Sequence, residues 1–207
     1  MRVTEVRGEH PLWVLDDLFT PEECAELIAW ANATRDDAGG DRAWHVPQDN
    51  TGRYLRAIRV DEAMAARLWD KIRPVLPTHY GGFRLTHVNR YIRFSQYRDG
   101  GRFPVHRDGK KYESVGPHKW TAETLFTLNI FLNEGFAGGQ TDFFEEGKRP
   151  GSAARLPEPA KLRLSVEPKA GRAALFWADP LHRGNVVRPP AAAAFTYPLR
   201  TDVFGVR

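Results

Sequence analysis

The sequence is poor in cysteine: Cys24 is the only one among 207 residues. This excludes an internal disulfide, and it excludes a closed zinc site built from several thiolates. The sequence also lacks any apolar stretch long enough to span a bilayer, and its N-terminus has no apolar signal core. These absences predict a cytoplasmic protein with no membrane partner.

A dense cluster of one charge is missing as well. The chain carries 30 Lys and Arg against 26 Asp and Glu, a formal net charge of +4. A mildly basic chain can bind nucleic acid, but the sequence shows no segment in which aromatic and basic residues alternate to form one binding surface. Nucleic acid therefore stays open as a partner without being favoured. The length and the 42% hydrophobic content fit a single globular domain over residues 1–207.

Helix signals are confined to the N-terminal part of the chain. Thr20-Pro21-Glu22-Glu23 predicts a helix that begins with a capping box, and Asp61 predicts the N-cap of a second helix. From Phe83 onward, short β-branched and aromatic segments alternate with turn residues. We predict a mainly β (α+β) fold, a double-sheet barrel or jelly roll over roughly residues 83–207, with two supporting helices in roughly residues 1–80.

Two predicted strands carry polar residues suited to the wall of a cleft. A strand over residues 88–97 would place Tyr91, Arg93 and Tyr97 on one face. A strand over residues 124–133 would do the same for Thr127 and Asn129. Between them, residues 110–123 are polar and contain Gly and Pro, so we predict a loop there.

His106 and Asp108 are two residues apart, so in an extended segment their side chains leave on the same side. His182 follows another apolar run and precedes Gly184, at the end of a predicted strand. Two imidazoles and one carboxylate on one face of a metal are the ligands of non-heme Fe(II) oxygenases. A lone His-x-Asp is a weak signal, but the glycines around the pair and the position of His182 strengthen it.

The order of several further blocks resembles the prolyl-4-hydroxylase-like group of Fe(II)/2-oxoglutarate-dependent oxygenases over nearly the whole chain. The blocks are Asn89, Arg93-Phe94, Tyr97, Gly100, Phe103, His106-Arg107-Asp108-Gly109, Thr127 to Asn133, Gly138-Gly139-Gln140-Thr141, Phe176-Trp177, His182-Arg183-Gly184 and Leu199-Arg200-Thr201-Asp202-Val203. The resemblance implies a double-stranded β-helix (jelly roll). It also implies Fe(II), 2-oxoglutarate oxidised to succinate and CO2, O2, and ascorbate as an optional reductant.

The resemblance also implies roles for individual residues. His106, Asp108 and His182 match the iron ligands, Tyr97 matches a tyrosine that meets the oxoglutarate carboxylate, and Thr127 lies on a strand lining the same pocket. A carboxylate ligand, rather than a small residue that would admit halide, implies hydroxylation, or demethylation through hydroxylation.

The chain departs from the common motif at one position. The motif has a lysine for the remote oxoglutarate carboxylate three residues before the leucine of the Leu-Arg-Thr-Asp block, where this chain has Thr196. Arg200 is the nearest basic residue on the same strand face, and a guanidinium suits a bidentate salt bridge. We therefore assign the carboxylate to Arg200, with Arg183 and Arg188 as alternatives.

The substrate is not encoded in a recognisable motif. Tyr91, Arg93, Asn50 and Arg53 are our substrate-contact candidates. The sequence favours a hydroxylase acting on a prolyl or other protein residue. Two readings stay open beside it: a small-molecule or nucleic-acid hydroxylase or demethylase of the same class, and a non-catalytic metal-binding jelly-roll module.

Overall fold

The computed structural model describes residues 1–8, 10–33, 40–47, 53–115, 120–145, 161–188 and 195–207. Its helices are α1 (Pro21–Asn32) and α2 (Glu62–Ile72). Its strands, in chain order, are β1 (Arg2–Glu5), β2 (Leu12–Asp16), β3 (Arg42–His45), β4 (Tyr54–Val60), β5 (His79–Tyr80), β6 (Phe83–Val88), β7 (Tyr91–Tyr97), β8 (Phe103–His106), β9 (Tyr112–Val115), β10 (Trp120–Phe131), β11 (Ala137–Gly138), β12 (Thr141–Phe144), β13 (Leu162–Val166), β14 (Ala173–Trp177), β15 (His182–Gly184), β16 (Val187–Arg188) and β17 (Pro198–Val206). Among these residues, no helix has the length and apolarity needed to cross a bilayer.

The strands form two main antiparallel sheets. The major sheet has the order β1-β2-β14-β10-β17-β7-β4-β3, with β6 and β9 pairing on β17 and β10 and β5 pairing on β6. The minor sheet has the order β13-β12-β15-β8, and β11 pairs with β16. Two facing antiparallel sheets behind two helices confirm the predicted mainly β jelly roll.

Apolar side chains fill the space on both faces of the major sheet. On the outer face, Leu27 of α1 and Leu68 of α2 belong to the same buried cluster as Phe94 and Phe126 of the sheet. On the inner face, Phe131, Phe143 and Phe176 form a second cluster against the minor sheet. The helices therefore support the sheet from behind, and the space between the two sheets remains for a site.

Both helices begin where the sequence predicts. The Thr20 hydroxyl accepts from the Glu23 backbone N–H at 3.2 Å, and the Glu23 carboxylate accepts from the Thr20 N–H at 2.8 Å. The Asp61 carboxylate accepts from the Met64 N–H at 2.7 Å. These side chains satisfy backbone donors that have no partner inside the helix, which fixes the first turn locally.

The predicted loop over residues 110–123 is wrong. Strand β9 pairs with the first half of β10, with Ser114 opposite Thr121 and Tyr112 opposite Glu123. The segment is polar because it is a strand at the side of the sheet, and Tyr112 is 62% exposed. Composition alone does not separate an exposed edge strand from a loop, because neither buries an apolar face.

The predicted single strand over residues 88–97 is interrupted at Asn89. The Asn89 Oδ1 accepts from the Tyr91 backbone N–H at 2.9 Å, and its own N–H donates to the Asp202 carbonyl at 2.8 Å. An Asn side chain that bonds the backbone two residues on replaces a strand bond with a turn. Strands β6 and β7 therefore flank this turn.

We expect Cys24 to be unreactive in the folded protein. It is 1% exposed on the buried side of α1, and burial raises the pKa of its thiol to about 11. Since the thiolate is the reactive form, Ellman's reagent at about pH 8 should label the native chain far more slowly than the chain in guanidinium. Equal labelling rates would contradict the packing of α1 on the sheet.

Candidate active site

Two histidines face each other across neighbouring strands of the minor sheet. His106, the last residue of β8, is paired with His182, the first residue of β15, and their ring centroids are 4.2 Å apart. Each follows a proline by two residues. The Nδ1 of His106 lies 2.9 Å from the Pro104 carbonyl, and the Nδ1 of His182 lies 3.0 Å from the Pro180 carbonyl. A carbonyl only accepts, so Nδ1 carries the proton and each Nε2 keeps its lone pair.

Asp108 brings one carboxylate to the same point. Its Oδ1 lies 3.3 Å from Nε2 of His106 and 3.8 Å from Nε2 of His182. Its Oδ2 accepts a hydrogen bond of 2.6 Å from the Thr127 hydroxyl, which fixes the plane of the carboxylate. The two oxygens therefore have different roles: Oδ2 is held by β10, and Oδ1 points between the imidazoles.

The electrostatics of the cluster favour an ionised Asp108 and a neutral His182. Burial raises the pKa of Asp108, but the Arg200 guanidinium, aided by the hydrogen bond from the Thr127 hydroxyl, outweighs it and leaves that pKa well below its usual range. Burial lowers the pKa of His182 to about 4. At neutral pH, the Asp108 side chain is charged and His182 is neutral, the protonation states that bind a metal.

The cluster fits a divalent metal ion. Its three ligand atoms lie within 4.8 Å of one another. Nε2 of His106 and Oδ1 of Asp108 are buried and have no hydrogen-bond partner. Buried polar atoms are rarely left unpaired. Oδ1 of Asp108 has the Arg200 guanidinium as a salt-bridge partner, so it is the unpaired Nε2 of His106, facing Oδ1, that indicates a group bound between the ligand atoms. Two nitrogens and one oxygen are the ligand types of non-heme Fe(II).

A cavity of about 110 Å³ opens beside the cluster, between the two sheets. This is several times the space that one water molecule requires. The major sheet forms one wall, where β10, β17 and β7 lie side by side: Asn129 is opposite Arg200, and Arg200 is opposite Arg93. The apolar part of the lining includes Phe103, Phe136 and Val187. The cavity can therefore hold a small polar ligand against the cluster.

The structure brings the predicted co-substrate residues together in this cavity. Tyr97, Thr127 and Arg200 all line it. Tyr97 is 9% exposed, and burial raises the pKa of its hydroxyl, which keeps it a hydrogen-bond donor. The Arg200 guanidinium forms a salt bridge with Oδ1 of Asp108, the oxygen that also faces the two histidines.

The predicted substrate-contact residues separate into three cases. Arg93 lines the cavity. Tyr91 is 43% exposed at the start of β7 and is not among the residues that line the cavity, so its role as a substrate contact stays a prediction. The alternation of side chains along a strand predicts which face a residue is on. It does not predict how far a cavity extends along that face. Arg53 is exposed outside the cavity lining, with a positive φ of 57°, and Asn50 lies outside the described residues.

Sequence reasoning missed three residues in and beside the cavity. Arg56 of β4 lines it, opposite Ser95 of β7. Asp202 of β17 is 1% exposed and forms salt bridges with Arg93, at 2.5 Å, and with Lys111. Burial lowers the pKa of Lys111 to about 8. The polar face of β7 was visible in the sequence, but its pairing with β4 was not, since 30 residues separate the two strands.

The comparisons with known proteins agree with this geometry. Several solved structures share the fold at low sequence identity. A viral collagen prolyl hydroxylase from Paramecium bursaria Chlorella virus-1, solved with 2-oxoglutarate, is 18% identical, with a TM-score of 0.55 over 95% of this chain and 96% of that chain. A prolyl-4-hydroxylase from Pseudomonas putida is 16% identical, with a TM-score of 0.55 over 96% and 94%. A prolyl hydroxylase from Trichoplax adhaerens, solved with a hypoxia inducible factor peptide, is 14% identical, with a TM-score of 0.61 over 93% and 83%.

No curated protein matches the chain significantly. The family model described as the 2OG-Fe(II) oxygenase superfamily matches residues 92–197, just over half of the chain, and these residues include His106, Asp108 and His182. The chain therefore belongs to the 2OG-Fe(II) oxygenase superfamily of 2-oxoglutarate-dependent dioxygenases.

Proposed function

We propose that the protein hydroxylates a residue of a protein substrate, a prolyl residue foremost, with 2-oxoglutarate as co-substrate and release of succinate and CO2. The observation that carries the reaction class is the convergence of His106, Asp108 and His182 beside a cavity lined by cations. The preference for a protein substrate is supported by the solved structures that share the fold, which include a collagen prolyl hydroxylase and a prolyl hydroxylase bound to a peptide.

The metal-binding role falls to His106, Asp108 and His182. When bound, Fe(II) and 2-oxoglutarate supply the oxidising chemistry with O2, and ascorbate serves as an optional reductant. The chain's own part is to orient these reactants and to limit water. The two Pro carbonyls fix the histidine tautomers, and the Thr127 hydroxyl fixes the Asp108 carboxylate. Such outer contacts orient the ligand atoms toward one point.

Tyr97, Thr127 and Arg200 are the residues that we assign to 2-oxoglutarate. The Tyr97 hydroxyl donates to a carboxylate, and Arg200 supplies a cation. Arg200 pairs with Oδ1 of Asp108. A metal ion bound at that oxygen would replace this partner, which leaves the guanidinium available to the keto acid. Arg93 remains a substrate-contact candidate together with Tyr91, Asn50 and Arg53.

Anaerobic titration with Fe(II) and 2-oxoglutarate tests this function. We expect a weak metal-to-ligand charge-transfer band in the visible region only when both are present, and slow succinate formation once O2 is admitted. Zn(II) in place of Fe(II) is the control and should give neither signal. Absence of the band and of succinate with Fe(II) would favour a non-catalytic metal-binding jelly-roll module.

Comparison of substrates tests the finer part of the proposal. Proline-containing peptides should increase succinate formation above the rate without substrate, and a mass increase of one oxygen should appear on the peptide. Stimulation by small molecules or nucleic acid in place of peptides would move the assignment to those substrates. A cytoplasmic location is part of the same proposal and rests on the single cysteine.

A further inference from the structure

The cavity contains more cationic groups than its acidic side chains neutralise. Its lining has three guanidinium groups, those of Arg56, Arg93 and Arg200. Arg93 is paired with Asp202 and Arg200 with Asp108. Arg56 instead donates a hydrogen bond of 2.6 Å to the neutral Tyr54 hydroxyl. In the described part of the chain, no carboxylate lies within salt-bridge distance of Arg56.

A cation without an acidic partner in a partly apolar cavity is unfavourable unless an anion joins it. Removing a charged group from water costs several kcal/mol, and an opposite charge recovers part of that free energy. The side chain of Arg56 is partly buried, and its guanidinium lies over the Tyr54 ring, 5.4 Å from the centroid. An anionic ligand in the cavity would complete this arrangement.

Arg56 lies close to the hydroxyl that we assign to 2-oxoglutarate. Its neighbour Tyr54 stacks on Tyr97, with ring centroids 5.2 Å apart. Burial is the main influence that raises the pKa of Tyr97, and both Arg56 and Arg200 oppose it, so both cations act on the Tyr97 hydroxyl. The residue opposite Arg56 on β7 is Ser95, which has a small side chain and also lines the cavity. A long side chain on β4 can therefore extend across β7 toward the cavity centre.

The residue paired with Tyr97 on the neighbouring segment is the neutral Thr196. Asn133 and Phe131 line the cavity beside it. Arg200 is farther along β17, opposite Arg93, and its guanidinium is at the Asp108 end. A carboxylate near Tyr97 and Thr196 would thus meet neutral groups from β17 and β10, and a guanidinium from β4.

We propose that Arg56 is a second cation of the keto-acid site and binds the remote carboxylate of 2-oxoglutarate together with Tyr97. Arg200 approaches the same ligand from β17, at the metal end. One carboxylate has about four lone-pair positions, enough for the Arg56 guanidinium and the Tyr97 phenol together. The inference rests on the proposed function, because it assumes that 2-oxoglutarate binds in this cavity.

The variant Arg56→Gln tests the inference by binding rather than by turnover. With Fe(II) under anaerobic conditions, its Kd for 2-oxoglutarate should rise at least about tenfold, the loss of one charge-assisted contact. The Kd for 2-oxopentanoate, which has a methyl group where 2-oxoglutarate has the remote carboxylate, should stay within about twofold. Co(II) affinity without keto acid should also be unchanged, which shows that the variant is folded. Arg56→Lys should recover part of the 2-oxoglutarate affinity.

Arg42→Gln is the matched control, because Arg42 is exposed on the adjacent β3 and does not line the cavity. If the wild-type protein shows the charge-transfer band and Arg56→Gln binds 2-oxoglutarate equally well, the inference is overturned while the proposed function stands. Equal losses for 2-oxoglutarate and 2-oxopentanoate would also overturn it, since the remote carboxylate would not be the group that Arg56 contacts. If the wild-type protein gives no band with either keto acid, the proposed function fails first.

Discussion

Replacement of Asp108 by asparagine is expected to abolish succinate formation and to weaken Fe(II) binding by at least roughly 100-fold, more than the loss of an outer contact around a metal site causes. Asp108 supplies the only carboxylate of the three-residue cluster. Asparagine keeps the shape and can still accept from the Thr127 hydroxyl. It removes the negative charge, however, and leaves the Arg200 guanidinium without its partner, so that a cation would face the incoming metal ion.

Metal binding to Asp108→Asn is measured with Co(II) absorption, and turnover by succinate formation. Asp99→Asn is the control, because it makes the same chemical change at an exposed position between β7 and β8. Retention of near wild-type Co(II) affinity by Asp108→Asn would show that the metal binds elsewhere. If Asp108→Asn binds metal but forms no succinate, Asp108 is required for the reaction and not for metal binding.

Local signals predicted the parts of the fold that depend on neighbouring residues. The capping side chains of Thr20 and Asp61 set the helix starts within one turn, and the turn residues around β13 and β14 set the ends of those strands. These interactions involve residues a few positions apart, so the sequence contains them directly.

The errors arose where tertiary pairing decides the structure. Residues 112–115 form a strand because β10 offers them a partner, although their own composition resembles a loop. Asn89 interrupts a run of strand-like residues because its side chain replaces the backbone partner of Tyr91. The periodicity of a sequence describes one segment at a time. It does not identify the neighbouring strand whose backbone groups pair with that segment.

The candidate site divides in the same way. His106 and Asp108 are close in sequence, and their spacing predicted a shared direction. His182 came from its place at a strand end and from the resemblance. Arg56 and the Arg93–Asp202–Lys111 salt bridges were not found, because they join β4, β7, β17 and the residue before β9 across distant parts of the chain. The departure at Thr196 signalled that a cation had to come from elsewhere, but not from which strand.

Arg200→Gln is expected to change two affinities in opposite directions. Without keto acid, metal affinity should increase, because the variant removes a cation that repels the metal and occupies Oδ1 of Asp108. With metal bound, the affinity for 2-oxoglutarate should fall by about 100-fold, or roughly 2.7 kcal/mol, within the range for loss of one partner of a buried charge pair. Arg200→Lys keeps the charge but not the planar fork of the guanidinium. Its affinity for 2-oxoglutarate should therefore lie between that of the wild-type protein and that of Arg200→Gln.

Both affinities can be measured on the same anaerobic sample. Co(II) absorption gives the metal affinity, and the Fe(II) charge-transfer band gives the affinity for 2-oxoglutarate. A decrease in both affinities would indicate that Arg200 acts by holding Asp108 in place. Without that support, the misplaced Asp108 carboxylate would weaken binding of the metal and, through it, of the keto acid. An unchanged affinity for 2-oxoglutarate would refute the assignment of Arg200 to the keto acid and leave Arg56 as its cation. The opposite signs therefore distinguish a ligand contact from a structural support at one residue.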